Sequence, residues 1–244
     1  LALLGSAAEG AFETVLGPFA LSSEPVLKRL QGARLLADPL TCMAQTLLEC
    51  PSRQALWNLT VRLLCHKLDF DARVSSLCSL EVFASQLDSM VDEVISHILP
   101  GLPLSQVRPQ LSLPGHLGGA FLLPMQDTLV CAPLASFVQT FPHVVSVLRA
   151  YNLAHAIPHI RREAAKESAQ TICQWGGSPS QILGVPLDLD SNFILSVVKA
   201  HGRLIHFCAE RRLHMLLNSV DAHTAARIHS CGGPGNGSWL REVP

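Results

Sequence analysis

Apolar residues recur at helical spacing through most of this chain, and this periodicity restricts its fold more than any other feature. The longest run extends from residue 83 to 99, and Pro100-Gly101 follows it. Its apolar positions are Phe83, Leu87, Met90, Val91, Val94, Ile95, Ile98 and Leu99. Such spacing places them on one face of an α-helix, whereas a half-buried strand would show strict alternation. The sequence therefore predicts an amphipathic helix that ends at Pro100.

Capping residues and prolines mark the limits of further helices. Ser22-Ser23-Glu24-Pro25 and Asp38-Pro39 each join an N-cap side chain to an early proline, which is typical of a helix start. Cys50-Pro51 ends one apolar run. The helices predicted in this way cover residues 24–37, 40–48, 56–64, 160–175 and 190–216, the last of them capped by Asp190-Ser191.

Residues 128–148 carry no formal charge and are numerous enough to span a bilayer. Pro133 and Pro142 interrupt this stretch, and Gln139 and His143 add polar groups to it. A one-sided cluster of Lys and Arg, which orients most membrane spans, does not flank it. We interpret the stretch as two buried helices and expect the protein not to associate with a membrane.

The arrangement of these patterns predicts an all-α fold. Strand-like alternation does not occur after residue 21, and residues 100–124 contain five prolines and four glycines. We expect an irregular helical bundle, with two lobes separated by that Pro/Gly-rich connection. The predicted regions are residues 1–99 (helical), 100–124 (irregular connection), 125–230 (second helical region) and 231–244 (Gly-rich linker).

Composition narrows the classes of function. The formal net charge is −1, charged residues make up 15% and the mean hydropathy is +0.30. An independent, strongly basic nucleic-acid-binding domain would need a dense positive face, and this balance argues against one. Such apolar content excludes intrinsic disorder and predicts a well-covered core or faces that expect a partner. The eight cysteines lack paired spacing, so we expect reduced thiols in an intracellular protein.

Two short patterns resemble metal sites, and each has a simpler structural explanation. Asp69-Phe70-Asp71 could present two carboxylates to Mg²⁺, but a solvated helix end or turn explains it better. His155 and His159 have the spacing of two zinc ligands on a helix, but Pro158 lies between them. The sequence also lacks a nucleophile elbow, a phosphate-binding glycine loop and zinc-finger spacing. We therefore assign no catalytic or metal-ligating residue and expect no small-molecule substrate.

The segment from 199 to 229 is the most basic part of the chain. It holds five Lys or Arg, two acidic residues and five histidines, so its charge is +3 with neutral histidines. This composition favours contact with phosphates, although a solvated helix face explains it as well. A smaller basic group, with the same two explanations, lies near residue 30. The candidate nucleic-acid contacts are Lys28, Arg29, Lys199, Arg203, Arg211 and Arg212.

Several segments occur in the order found after the palm of non-LTR (LINE-type) retrotransposon reverse transcriptases. Leu3-Leu4-Gly5 resembles the family's first turn, and residues 24–64 resemble its helical thumb. Residues 113–122, Leu-Pro-Gly-His-Leu-Gly-Gly-Ala-Phe-Leu, match a family motif except that Phe121 replaces its last glycine. Residues 233–240, Gly-Pro-Gly-Asn-Gly-Ser-Trp-Leu, resemble the family's final turn.

This resemblance implies a non-catalytic, helical part of an RNA-directed DNA polymerase. The chain contains no Asp-Asp pair, so the polymerase aspartates and their Mg²⁺ would belong to a palm outside it. Residues 1–99 would be the thumb-like region, with a template–primer duplex and the palm and fingers as partners. A nuclear location follows from the same resemblance. Two alternatives stay open at this point, a helical protein–protein interaction module and a hydrolase with an unrecognised triad.

Overall fold

A computed structural model describes residues 45, 48–62, 64–66, 69–74, 77–159 and 162–233. This part of the chain is 72% helical and contains no strand, which confirms the all-α prediction. The α-helices within it are α1 (Arg53–Arg62), α2 (Asp69–Val74), α3 (Leu77–Ile98), α4 (Leu104–Leu111), α5 (Met125–Ala150), α6 (Glu163–Gln174), α7 (Pro179–Leu183), α8 (Ala200–Ser219) and α9 (Ala222–Ser230). Three 3-10 helices cover Leu64–His66, Gly115–Leu117 and Ala154–His159.

Helix α3 confirms the longest apolar run. The side chains of its apolar face are among the most buried in the protein, including Leu87, Val91, Val94 and Ile95. Ser89 lies on the exposed side, where its hydroxyl donates to a backbone carbonyl four residues earlier. Burial of one apolar stripe, rather than intrinsic helix propensity, supplies most of the stability of such a helix.

Helices α1 and α6 also lie where the sequence predicted them. The amide of Ala55 in the first turn of α1 donates to the Ser52 hydroxyl at 3.2 Å, just after Cys50-Pro51. Helix α6 lies within the predicted range 160–175. The helices predicted over 24–37 and 40–48 lie outside the described residues, except for residues 45 and 48 of the second.

The prediction of two helices in residues 128–148 is wrong, because α5 is continuous through Pro133 and Pro142. A proline inside a helix removes one backbone donor and costs roughly 3 kcal/mol. Deep burial offsets that cost, since Leu134, Val138 and Phe141 are almost fully enclosed and each contributes about 2 kcal/mol. Within the described chain, α5 is the one helix long and apolar enough to cross a membrane, and half of its most apolar window is buried inside the protein.

The predicted helix over residues 190–216 begins later than expected, at Ala200. Lys199 has a φ of 59°, in the left-handed region, so the chain enters α8 through a turn. Upstream, the buried Arg162 guanidinium donates to the carbonyls of Leu189 and Ser191 and lies 5.1 Å from the centre of the Phe141 ring. These contacts occupy backbone acceptors of the loop, and the expected Asp190-Ser191 cap does not form.

Residues 100–124 are more regular than predicted. They contain α4 and a 3-10 helix at Gly115–Leu117, and Pro109 lies within α4. Arg108 of α4 donates to Asp92 of α3 at 2.5 Å and to the Leu122 carbonyl at 2.7 Å. These side-chain hydrogen bonds, between residues distant in sequence, hold residues 100–124 in place. The local sequence of this region indicates only that it is rich in turns.

The amino terminus of α5 receives its cap from another helix. The amide of Met125 donates to both carboxylate oxygens of Asp88, at 3.0 and 3.2 Å, and the Arg108 guanidinium lies 3.9 Å from the same carboxylate. Burial raises the pKa of Asp88, although the Met125 amide and Arg108 oppose that rise. An acid at a helix amino terminus satisfies a donor that the helix itself leaves free.

The described residues form two compact units, each assembled from segments that are distant in sequence. Unit 1 takes in residues 69–82 and 129–204. Unit 2 takes in the described residues up to 66 together with 83–128 and 205–233. Unit 2 therefore contains the whole Pro/Gly-rich region 100–124 together with chain on either side of it.

Candidate functional site

The structure assigns different roles to the basic residues predicted to contact nucleic acid. Lys28 and Arg29 lie outside the described residues. Lys199 is exposed in unit 1, immediately before α8. Arg203 is exposed in the first turn of α8, but its Nη1 donates to the carbonyl of Leu183 at the end of α7. Lys199 is therefore the more available cation of this pair.

Arg212 belongs to a largely buried ion pair in unit 2. Its Nη2 bonds to Oδ2 of Asp127, and the two side chains are 18% and 10% exposed. Burial raises the pKa of Asp127, and the charges of Arg212 and Arg211 only partly oppose that rise. A guanidinium enclosed in this way stabilises the fold, because each charge is costly to bury without the other. Arg211, its neighbour on α8, is half-buried.

Residues 113–122 form a compact turn, here called the glycine turn, and two of its glycines are sterically required. A Cβ on Gly119 would lie 2.0 Å from the carbonyl oxygen of Leu113. A Cβ on Gly118 would lie 2.8 Å from the carbonyl oxygen of Ile228, and its φ of +82° is left-handed. The backbone itself occupies the space of a side chain at these positions, so the Gly-Gly pair follows from packing.

Phe121 adopts a backbone conformation that glycine prefers. Its φ is 65°, in the left-handed region, where a non-glycine residue costs roughly 1–2 kcal/mol. The backbone at residue 121 therefore favours glycine, and Phe121 adopts this conformation under strain.

The amides of the glycine turn donate to backbone carbonyls of the turn and of the residues just before it. The amide of Gly118 donates to Gly115, that of Gly119 to Pro114 and that of Phe121 to Leu113, at 3.0–3.1 Å. A phosphate-binding loop instead presents several amides to its anion. The glycine turn therefore serves packing and does not form an anion cradle.

The glycine turn contacts the beginning of the second motif, more than one hundred residues later. The amide of Gly233 donates to the carbonyl of His116 at 2.8 Å. Leu113, Leu216 and Ile228 form one buried apolar cluster that joins the glycine turn to α8 and α9. The remainder of the second motif, residues 234–240, and the first turn at residues 3–5 lie outside the described residues.

Two histidines also meet where the glycine turn contacts α8. The rings of His116 and His206 are 5.7 Å apart between centroids, and Nε2 of His206 lies 3.2 Å from Glu210. No local pattern in the sequence indicates this contact, since ninety residues separate the two histidines. Only the His206–Glu210 spacing of four residues on one helix offers a local signal.

The patterns considered for metal binding have ordinary structural positions. Asp69 and Asp71 lie in the first turn of α2, where acidic residues interact favourably with the helix dipole. His155 and His159 belong to a 3-10 helix, which has about 3.0 residues per turn, whereas the zinc pattern requires an α-helix. Across the described ranges, the structure brings together no group of three or more His, Cys, Asp or Glu suited to a metal ion.

Comparison with known proteins adds no relative to this picture: no protein-family model, no curated protein and no solved structure matches the chain.

Proposed function

We propose that this chain is the non-catalytic, helical part of a LINE-type RNA-directed DNA polymerase and helps to bind the template–primer duplex. The proposal assigns no catalytic residue and no cofactor to the chain. Polymerisation and its Mg²⁺ would belong to a palm that carries the aspartates, and the location would be nuclear.

The contact between the glycine turn and Gly233 is the observation that carries the proposal. Both segments were singled out by their resemblance to family motifs, and they lie more than one hundred residues apart in sequence. They bond directly, from the Gly233 amide to the His116 carbonyl, and Leu113 of the glycine turn packs on Ile228 of α9, which precedes Gly233. The resemblance predicts that the two segments belong to one fold, and this contact supports that prediction.

The small number of available positive charges among the predicted contact residues supports weak rather than tight binding of a duplex. Among the predicted contact residues, Lys199 is exposed, Arg203 shares its guanidinium with the Leu183 carbonyl, and Arg212 is held by Asp127. If Lys199 and Arg203 of unit 1 neutralise about two phosphates, affinity falls roughly 12-fold between ~50 and ~200 mM salt.

Fluorescence anisotropy with a labelled RNA–DNA hybrid duplex tests the proposal on the full chain. We expect binding whose logarithm declines linearly with the logarithm of salt concentration. Lys199→Ala and Arg203→Ala should each lower that slope by about 0.9. Arg149→Ala is the matched control, since it removes one exposed positive charge from α5, outside the predicted contact set.

A primer-extension reaction on an RNA template completes the test. We expect no DNA product from this chain, because it contains no Asp-Asp pair. Duplex binding that is insensitive to salt, or that falls equally with Arg149→Ala and Lys199→Ala, would contradict the proposal.

A helical protein–protein interaction module is the second candidate function. Several large apolar side chains are exposed, with Tyr151, Phe193 and Val198 each more than two-thirds accessible. Exposed apolar groups of this size favour contact with another protein. Association with a protein and no affinity for the hybrid duplex would support this candidate instead.

A further inference from the structure

Phe193 is a large aromatic side chain that the fold leaves in solvent. It begins the non-helical, uncharged segment 193–198 between α7 and α8, and it is 70% exposed. Ile194 and Val197 of the same segment are only 4% and 3% exposed, so they attach the segment to unit 1. Phe193 is therefore an exposed ring on an anchored stretch of chain.

The backbone that carries Phe193 is held from the start of α6. The Arg162 guanidinium donates to the carbonyl of Ser191 at 3.1 Å and to Oδ1 of Asn192 at 3.0 Å. The amide of Phe193 donates to the Ser191 hydroxyl, also at 3.0 Å. Because Arg162 is buried, these bonds are shielded from water. A ring on a backbone fixed in this way loses less conformational entropy when a ligand binds.

Positive charge follows the segment directly. Lys199 is exposed and has a φ of 59°, so the chain turns there into α8. One turn later, Arg203 is bonded to a backbone carbonyl at the end of α7, an uncharged acceptor that leaves its positive charge in place. Residues 191–209 contain no acid, and Asp190, the last acid before them, is paired with Lys166 at 2.5 Å. An anionic ligand therefore meets attraction from this part of the chain.

An exposed ring beside cations indicates which anion fits. Proteins bind unpaired nucleotides by stacking the bases on aromatic side chains and by placing Lys or Arg at the phosphates. A base pair inside a duplex is already stacked on its neighbours, and a purely apolar partner makes no use of the cations. Phe193 and Lys199 are six residues apart and thus at most about 22 Å from each other, so one short strand reaches both.

We propose that Phe193, Lys199 and Arg203 bind unpaired nucleotides, with a base stacked on the Phe193 ring and phosphates at the two cations. The inference rests on the proposed function and names the unpaired strand as a ligand in addition to the duplex. It adds Phe193 to the predicted contact residues. Because every base has a face that can stack, the site distinguishes unpaired from paired nucleotides and not one base from another.

Fluorescence anisotropy on the full chain with three labelled ligands tests the inference. These ligands are a blunt RNA–DNA hybrid, the same hybrid with an unpaired RNA extension, and the RNA strand alone. We expect the extension to raise affinity. Phe193→Leu keeps an apolar side chain without a ring, and it should lower affinity for the extended hybrid by about 5-fold or more, the loss of one stacked base. Affinity for the blunt hybrid should not change.

Three further variants serve as controls. Phe193→Tyr keeps the ring and should keep the gain in affinity from the extension. Tyr151→Leu removes another exposed ring of unit 1, outside the segment, and should have no effect. Lys199→Ala should lower the salt slope for the RNA strand by about 0.7. Far-UV circular dichroism on each variant checks that helix content is unchanged.

The outcomes separate this inference from the proposed function. An extension that adds no affinity, or an equal loss in Phe193→Leu and Tyr151→Leu, would overturn the inference and leave duplex binding intact. Unchanged RNA binding by Phe193→Leu would also overturn it and would leave the exposed ring to a protein partner. If the blunt hybrid does not bind, the proposed function fails, and loss of binding to the RNA strand in Phe193→Leu still decides the inference.

Discussion

Substitutions at the Arg212–Asp127 pair separate a structural role of Arg212 from a role in nucleic-acid contact. The two side chains are 18% and 10% exposed, so either substitution alone leaves a charge largely enclosed. Removing one member of a buried pair costs about 3–5 kcal/mol. We expect Arg212→Met and Asp127→Asn each to lower the free energy of unfolding by about 3 kcal/mol.

The double variant should be far less destabilised than the sum of its parts. If each single change costs about 3 kcal/mol, additivity predicts about 6, whereas the double variant no longer encloses an unpaired charge. We expect a cost of about 3–4 kcal/mol and hence a coupling energy of about 2–3 kcal/mol. Urea unfolding of the four proteins, with comparable m-values, measures these quantities.

The pH dependence of this cycle has a definite sign. Burial raises the pKa of Asp127 in the folded protein above its ordinary value, so the stability linked to this group is fully present below about pH 3.8. That contribution is lost as pH rises through the folded pKa. Removing Arg212 takes away an opposing charge and raises the pKa further, so the destabilisation by Arg212→Met should shrink on acidification.

Duplex binding by the same variants completes the argument. Asp127→Asn keeps Arg212 and removes its partner, so a phosphate-contacting Arg212 would bind as well or better in that variant. If Arg212 acts only through the fold, both single variants keep the affinity of the unmodified chain under conditions in which they remain folded. Additive unfolding energies, or a pH-independent effect of Arg212→Met, would refute the buried-pair interpretation.

Further predictions concern backbone space, a local charge and the strained turn. Gly119→Ala should abolish folding or greatly reduce stability, since its Cβ would overlap the Leu113 carbonyl. Gly202→Ala is the control, because its Cβ meets open space in α8, and it should stabilise the protein by about 1 kcal/mol. Thermal unfolding compares the two variants. The Lys166 ammonium holds the pKa of Asp190 below its usual range. Lys166→Met should therefore raise the pKa of Asp190 towards its ordinary value, which an NMR titration measures. An unchanged titration would contradict the 2.5 Å contact between the two side chains. Phe121→Gly should relieve about 1–2 kcal/mol of left-handed strain and lose part of that gain as apolar contact, so a large destabilisation in urea would argue against strain at this position.

The corrections to the predicted helices share one physical origin. Pro133 and Pro142 are helix breakers by local chemistry, yet α5 continues through both because its neighbouring side chains are buried. Conversely, residues 190–199 have a helical pattern and a good cap, yet Arg162 engages the loop carbonyls and α8 begins at Ala200. Tertiary contacts worth a few kcal/mol exceed local preferences of similar or smaller size.

The candidate site was predictable to the same limited degree. Residue type and spacing marked the glycine turn, the segment after residue 232 and the basic run after 198 as noteworthy. They gave no means of distinguishing Lys199, which is exposed, from Arg212, which is buried against an acid 85 positions away. The sequence also contained no signal for the contact between His116 and Gly233.

What the sequence determines by itself is the all-α class and the position of helices with a continuous apolar stripe, such as α3. Helical hydrogen bonds join residues four apart, so the information for them is local. Only the tertiary structure decided which prolines a helix tolerates, which cations stay available and which distant turns meet. Those outcomes depend on which side chains become buried and on contacts between residues far apart in the chain, and a local sequence pattern contains neither kind of information.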